Sequence, residues 1–470
     1  HAGLYDYWEM MRKHPRCIGG FLWVLADEGV KRVDMDGFID NQGNFGADGI
    51  VGPHHEKEGS YYTIKQLWSP VQVMNTAIDR NFDGKLSVEN RYDYLNLNTC
   101  RFIWQQVKFP SVTDASNTTT RILKQGEVQG SDVAAHGVGV VDIKTSILPE
   151  ADALFLTVID KYGHELWRWT FPVDKLNRET EQFSASSGRA SYTETEKGIT
   201  VKANGRTFVF SKKDGQLKDV SVNNRKISFA NGPRFIGARR ADRSLDQFYN
   251  HDDEKAKAKD RTYSEFTDAA VFTKLDVKKE GGNLILTANY KLGNLDKAQW
   301  TIHPDGMATL DYTYNFSGVV DLMGICFDYP EEQVLSKRWL GAGPYRVWQN
   351  RIHGTQYDIW ENDYNDPIPG ETFTYPEFKG YFGSVSWMSI RTKEGTISLR
   401  NETPDSYIGV YQPRDGRDRL LYTLPESGIS VLNVIPPVRN KVNSTDLCGP
   451  SSQPKWVDGP QTGRLVLRFE

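Results

Sequence analysis

The sequence has few cysteines, no long apolar run and no excess of charge of one sign. Its four cysteines among 470 residues include no CxxC pair, which argues against a disulfide scaffold and a cysteine-ligated zinc site. The longest apolar run, from Ile18 to Ala26, has nine residues, whereas a transmembrane helix needs about 20. The 57 basic and 61 acidic residues lack the basic excess of a nucleic-acid-binding protein. We therefore expect neither a membrane nor a nucleic acid as partner.

The beginning of the chain does not have the pattern of a signal peptide, because it contains neither a basic segment nor an apolar one. The chain also lacks an initial Met, so we expect it to start inside a longer product. The compartment therefore stays open, with a periplasmic or secreted location slightly favoured over the cytoplasm. Aromatic residues make up 12% of the chain, which is enough for the packed cores of several domains.

The N-terminal residues have the pattern of an α/β protein. Apolar residues follow helical spacing over 4–11, and Pro15 ends that helix. The apolar run over 18–26 predicts a strand covered on both faces, as in a parallel sheet. A second helix is predicted over 59–68. Because helix, buried strand, loop and helix make one to two units of a β/α (TIM) barrel, residues 1–70 are predicted to be the C-terminal remnant of such a catalytic domain.

Strand patterns dominate the rest of the chain, so we predict a mainly β, multidomain protein. Short alternating segments such as Phe102 to Val107 predict an immunoglobulin-like β-sandwich over 71–176. A polar stretch over 177–191 is predicted to be a linker. Residues 192–470 alternate strands with turns rich in Gly and Asp, which predicts a large antiparallel β-sandwich, or supersandwich.

Two polar motifs have both a metal-binding and a structural interpretation. Asp79 to Asn90 has the spacing of oxygen ligands seen in an EF-hand loop, but the bidentate acid belongs at position 12 and Glu89 is at position 11. The same residues are typical of a polar turn that enters a strand, which is the interpretation we favour. His54-His55-Glu56 lacks a third, spaced ligand, so we predict a solvated loop there.

Trp23 is the most informative single residue of the N-terminal segment. If 18–26 is a barrel strand, its end lies at the mouth of the barrel, where the catalytic and binding groups of such domains collect. A flat indole at that place suits the apolar face of a sugar ring. The alternative is that Trp23 is an ordinary core residue.

Seven short motifs occur in a characteristic order. They are Gly19-Gly-Phe-Leu-Trp23, Asp27-Glu-Gly29, Gly43-Asn-Phe45-Gly-Ala-Asp48, Lys65-Gln-Leu-Trp68, Val88-Glu-Asn90, Trp339-Leu-Gly-Ala-Gly343 and Tyr375-Pro-Glu-Phe-Lys-Gly380. In this order they resemble glycoside hydrolase family 2 of the bacterial β-galactosidase type, and the resemblance covers nearly the whole chain.

The resemblance implies a retaining exo-β-glycosidase, which uses a carboxylic acid and a carboxylate nucleophile to hydrolyse terminal sugars. Both glutamates of the family lie on barrel strands upstream of this sequence, so no catalytic residue is expected in this chain and the chain alone is expected to be inactive. Glu9, within a helix, and Glu28, where the family has Gln, are poor substitutes. The implied partners are a carbohydrate substrate and the missing N-terminal half of the enzyme.

The resemblance also implies four substrate-binding residues. Trp23 matches the tryptophan on which the family stacks the sugar ring, and His1 matches a pocket histidine. Phe45 and Asp48 match residues that line the pocket and hold a sodium ion. No cofactor is expected to be required, although Na⁺ or Mg²⁺ near the pocket is an open alternative. The family has an acid where Val24 stands and Asn where Asp48 stands, which makes galactose doubtful as the substrate.

The sequence leaves a second class of function open. The chain could be a non-catalytic carbohydrate-binding or scaffold module, in which the barrel remnant has no role in catalysis. The sugar, the linkage and the formation of homo-oligomers are also left open by the sequence.

Overall fold

The protein is represented by a computed structural model that describes residues 3–40, 46, 49–112, 119–173, 188–240, 263–266, 268–363, 380–410, 425, 427–437 and 449–470. Within these residues, strands predominate and every ladder between named strands is antiparallel. The predicted mainly β, multidomain fold is confirmed. No helix in the described ranges is long and apolar enough to cross a membrane.

The N-terminal segment contains two helices and a short hairpin. Helix α1 covers Leu4–Lys13 and helix α2 covers Gly59–Leu67, close to the two predicted helices. Strands β1 (Val30–Arg32) and β2 (Phe38–Asp40) form an antiparallel hairpin between the two helices. A loop was expected before the second helix, and β2 lies within it.

The strand predicted over 18–26 is wrong. Ala26 makes one isolated parallel bridge to Val51, and residues 18–25 belong to no strand. The side chains of Ile18 and Phe21 are fully exposed. A buried strand needs neighbours at both edges and on both faces, whereas in the described residues this run pairs only at its end, with residues 50–51.

A three-stranded and a four-stranded sheet face each other after α2. The first has the order β3 (Val71–Val73), β4 (Lys85–Asn90), β7 (Val138–Asp142), and the second has the order β6 (Arg121–Gln129), β5 (Arg101–Lys108), β8 (Ala153–Ile159), β9 (Glu165–Pro172). Alternate residues such as Leu86, Phe102 and Leu156 point inward and form one core between the two sheets. The alternation seen in the sequence therefore reports the buried face. The immunoglobulin-like assignment and the domain boundaries stay predictions.

The motif at 79–90 forms a turn that enters β4, as favoured above. The carboxylate of Asp79 accepts a hydrogen bond from the backbone N–H of Asn81, and that of Asp83 accepts one from Lys85. Gly84 has a φ of 87°, a conformation that glycine adopts readily. These carboxylates are thus engaged in shaping the turn.

Two large sheets make up the rest of the described chain. The eleven-stranded sheet has the order β10 (Ser191–Glu194), β11 (Gly198–Ala203), β12 (Arg206–Ser211), β13 (Leu217–Val222), β15 (Ala230–Arg240), β21 (Leu322–Asp328), β28 (Ile429–Val434), β27 (Tyr407–Val410), β24 (Phe382–Gly383), with β14 (Arg225–Ile227) beside β13 and β16 (Tyr263–Glu265) beside β15. The nine-stranded sheet has the order β17 (Val271–Glu280), β18 (Asn283–Lys291), β19 (Leu295–Ile302), β20 (Ala308–Val320), β29 (Lys455–Phe469), β26 (Thr396–Asn401), β25 (Trp387–Thr392), β22 (Val334–Gly343), β23 (Gln356–Asp363).

One extensive core joins these two sheets. It includes Phe208 and Phe229 on the side of the first sheet and Leu286 and Trp300 from the second, all at most 1% exposed. Face-to-face packing of two antiparallel sheets is a β-sandwich, as predicted from the strand and turn pattern. The predicted linker lies mostly outside the described residues.

Polar side chains fix the smaller pair of sheets against the larger sandwich. Nε of Arg168 on β9 donates to the side chain of Gln356 at 2.9 Å, and Thr120 donates to the carboxylate of Asp358 at 2.7 Å. Phe155 and Tyr357 pack in an apolar cluster at the same contact. The orientation of β23 is therefore tied to that of β9.

The core of the large sandwich provides a test of packing. Phe229 is fully buried, stacks on Phe327 with ring centroids 4.6 Å apart, and also contacts Phe469. We expect Phe229→Ala to lower the free energy of unfolding by about 3–5 kcal/mol, because it removes buried contacts and leaves a cavity. Urea denaturation measures the change. Trp456→Ala, at a position 68% exposed, is the control and should change stability little; equal effects of the two substitutions would contradict this account of the core.

Candidate functional site

Trp23 lies on the surface of the described chain. Its side chain is 73% exposed, which removes the alternative that it is a core residue. The neighbouring side chains of Phe21 and Leu25 are also exposed. The indole is thus available to a ligand or to another part of a longer polypeptide.

The backbone that follows Trp23 is held by the segment 49–51. The Asp27 N–H donates to the carbonyl of Val51 at 2.9 Å, and the N–H of Val51 donates to the carbonyl of Leu25 at 3.0 Å. The Asp27 carboxylate accepts from the backbone N–H of Gly49 at 2.7 Å. A Cβ at Gly49 would lie 2.3 Å from the backbone nitrogen of Asp27, so this close approach needs glycine.

A second carboxyl group is buried beside Asp27. Glu58 precedes helix α2, is 4% exposed, and its side chain hydrogen-bonds to that of Asp27. Burial, followed by the negative charge of Asp27, raises the pKa of Glu58 to about 8, although the cation of Arg351 opposes the shift. At neutral pH Glu58 is therefore mainly protonated.

The loop 344–355, between β22 and β23, contacts and supports both helices. The backbone N–H of Gly3, at the start of α1, donates to the carbonyl of Asn350 at 2.8 Å. Thr63 on α2 donates to the carbonyl of His353 at 2.9 Å, and Tyr345 donates to that of Lys57 at 3.1 Å. Since these bonds reach both helices, the large sandwich fixes the position of the N-terminal segment.

His353 adds an aromatic contact between the loop 344–355 and helix α1. Its ring stacks on Tyr5 of α1, with ring centroids 4.6 Å apart. Burial lowers the pKa of His353, while the nearby carboxylates of Asp6 and Glu9 act in the opposite direction. The neutral imidazole is therefore the form that fits between helix and loop.

Three of the four predicted substrate-binding residues, His1, Phe45 and Asp48, lie outside the described residues. Their roles, and that of Phe45 and Asp48 as ligands of a monovalent ion, stay predictions. Among the residues the structure does describe, no group of three or more His, Cys, Asp or Glu side chains is arranged to hold a metal. His54 and His55 lie in the loop before α2, where a loop was predicted.

The two glutamates weighed as substitute acids have other surroundings. Glu9 lies on α1 and forms an ion pair with Arg91 at 3.6 Å, and Glu28 is exposed. No sequence pattern predicted the Asp27–Glu58 pair or the loop that carries His353. A glutamate before a helix is too common a pattern to predict burial, and spacing along the chain does not report the contact with Asp27.

Comparison with known proteins gives a consistent relationship. Residues 202–432 match the family model described as the β-galactosidase small chain. The chain is 21% identical over 429 residues to a β-galactosidase of Priestia megaterium, covering 84% of this chain and 38% of the relative. It is 20% identical over 410 residues to a β-galactosidase of Pseudoalteromonas haloplanktis, covering 77% and 37%. These matches support a β-galactosidase-related chain.

The alignments cover only part of each relative. The chain spans less than two fifths of the length of these two relatives. Among solved structures, a galactose 1-epimerase from Lactobacillus acidophilus NCFM is similar over 60% of this chain at 10% identity, with a TM-score of 0.32. A score this low carries no functional argument.

His353 makes the packing of α1 against the loop 344–355 sensitive to pH. Because its pKa is lower in the folded protein than the usual 6.5, its contribution is fully present above pH 6.5 and is lost as the pH falls below that value. We expect His353→Phe, which keeps a ring against Tyr5, to lose less stability than the wild type between pH 7.5 and pH 5. Urea denaturation at several pH values measures this. His14→Phe, at an exposed position, should keep the wild-type pH dependence; parallel profiles for wild type and His353→Phe would refute the assignment.

Proposed function

We propose that this chain is the C-terminal portion of a retaining exo-β-glycosidase of the β-galactosidase type, glycoside hydrolase family 2. In this proposal the two catalytic glutamates lie on upstream polypeptide, which completes the β/α barrel begun by the N-terminal segment. Trp23 stacks on the sugar ring, and His1, Phe45 and Asp48 form further parts of the pocket wall. The substrate is a terminal sugar of an oligosaccharide or polysaccharide.

The observation that carries the proposal is the apolar surface of the N-terminal segment. Within the described chain, eleven of the 23 large apolar side chains that are exposed belong to residues 3–40. They are Tyr5, Tyr7, Met10, Ile18, Phe21, Trp23, Leu25, Val30, Val33, Met35 and Phe38. Exposed apolar surface of this density is typical of a surface that another part of a protein covers.

The segment 18–25, which belongs to no strand, supports the same conclusion. It is apolar, and its backbone is hydrogen-bonded to residues 50–51 only at its C-terminal end, next to the bridge from Ala26 to Val51. A neighbouring parallel strand from upstream polypeptide would pair with this backbone, and barrel helices would cover its side chains. The β-galactosidases that the chain resembles are longer than the chain by more than a factor of two, which leaves room for such a region.

The proposal assigns Trp23 a direct contact with substrate. In the full-length enzyme we expect Trp23→Ala to raise KM and to lower kcat, with kcat/KM reduced about tenfold, because loss of roughly 1.4 kcal/mol of transition-state stabilisation has that effect. Steady-state hydrolysis of an aryl β-glycoside measures both constants. Trp456→Ala removes an equally exposed tryptophan from β29 and should leave them unchanged. Wild-type kinetics in the Trp23 variant would remove this residue from the pocket.

The proposal also separates this chain from the catalytic acids. We expect the isolated chain to hydrolyse no aryl β-glycoside, and a mixture with the upstream half to regain turnover as the exposed apolar surface becomes covered. Activity of the chain alone would place the acids here after all. Binding of sugar at millimolar concentration, without turnover in the mixture, would instead favour the carbohydrate-binding module.

A further inference from the structure

The buried pair of carboxyl groups next to Trp23 has a role that sugar binding does not explain. Asp27 does not face solvent: it is 7% exposed, and its carboxylate holds the backbone N–H of Gly49 at 2.7 Å. On its other side it meets Glu58. The carboxyl pair therefore connects three parts of the N-terminal segment: the backbone after Trp23, the segment 49–51, and the start of α2.

Two carboxylates cannot both stay charged in this position. One oxygen of Glu58, Oε1, is buried and has no hydrogen-bond partner in the described structure, so a charge on this group would be poorly solvated. A proton on Glu58 removes the repulsion and supplies a donor for Asp27. The remaining charge on Asp27 then accepts bonds from both Glu58 and Gly49.

The groups around Glu58 come from three elements. Asp27 faces it from the backbone after Trp23, and Glu56 lies two residues before it in its own loop. Arg351 and Tyr345 face it from the loop 344–355. Arg351 is the one positive charge among them, and the raised pKa of Glu58 shows that its attraction is outweighed by burial and by Asp27.

We propose that Asp27 and Glu58 share one proton and act as a proton-dependent clamp, which positions the segment 49–51 against the backbone that carries Trp23. Protonated Glu58 donates to Asp27, and Asp27 in turn orders the backbone at Gly49. Both are positioning residues. When Glu58 loses its proton, the clamp loses a donor and gains a repulsive pair, so the segment opens more often. The clamp stands whether or not the neighbouring surface binds a sugar.

Hydrogen exchange tests the clamp directly in the full chain. Opening exposes Glu58, whose pKa then returns toward 4.5, so opening is favoured as the pH rises. After correction for intrinsic exchange, we expect the opening constant of residues 24–27 and 49–51 to increase about tenfold per pH unit between pH 5 and 7, and to level off above pH 8. Mass spectrometry of deuterium uptake in peptides that cover these residues gives the constant.

Two variants and one control decide the result. Glu58→Gln keeps a donor for Asp27 and cannot ionise, so its opening constant should not change with pH. Asp27→Asn keeps an acceptor for Gly49 and donates to ionised Glu58, so the opening constant should level off at a lower pH than in the wild type. Glu28→Gln changes an exposed acid next to Asp27 and should behave as the wild type. The same pH dependence in wild type and Glu58→Gln, or none in wild type, would overturn the clamp.

Discussion

The nine-stranded sheet depends on a strand that lies at its centre and comes last in the described chain. β29 pairs with β20 from Lys455↔Val320 to Leu467↔Ala308, and its final residues also pair with β26. Without β29 the sheet would separate into two groups of four strands. Its inward side chains Leu465, Leu467 and Phe469 also belong to the large core. One strand thus joins both halves of the sheet and contributes to the core between the sheets.

The N-terminal segment depends on this sheet through a chain of contacts. β22 and β23 belong to the half of the sheet that β29 holds in place, and the loop between them provides Tyr345, Asn350 and His353 to α1 and α2. Trp23 lies between these two helices in the sequence. The two helices that flank Trp23 in the sequence are therefore held by the far larger β-sandwich, although many apolar side chains of the segment between them are exposed.

The sequence predicted most of the β structure and little of the site. Strands β5 and β9 followed from alternation, because their alternate side chains are buried in the core between the two smaller sheets. The run over 18–26 was wrongly predicted to be a buried strand, since composition alone cannot distinguish a core strand from an apolar segment whose side chains are exposed. The contact between Asp27 and Glu58 depends on tertiary structure, which no local pattern reports. His1, Phe45 and Asp48 remain predictions from resemblance.

The position of β29 also has a consequence for synthesis. The ribosome makes β17–β20 first and β22, β23, β25 and β26 later, and the edges of β20 and β26 stay unpaired until residues 455–469 emerge. Open strand edges are templates for pairing with other chains. A nascent polypeptide therefore exposes two such edges, those of β20 and β26, until the end of this region has been translated.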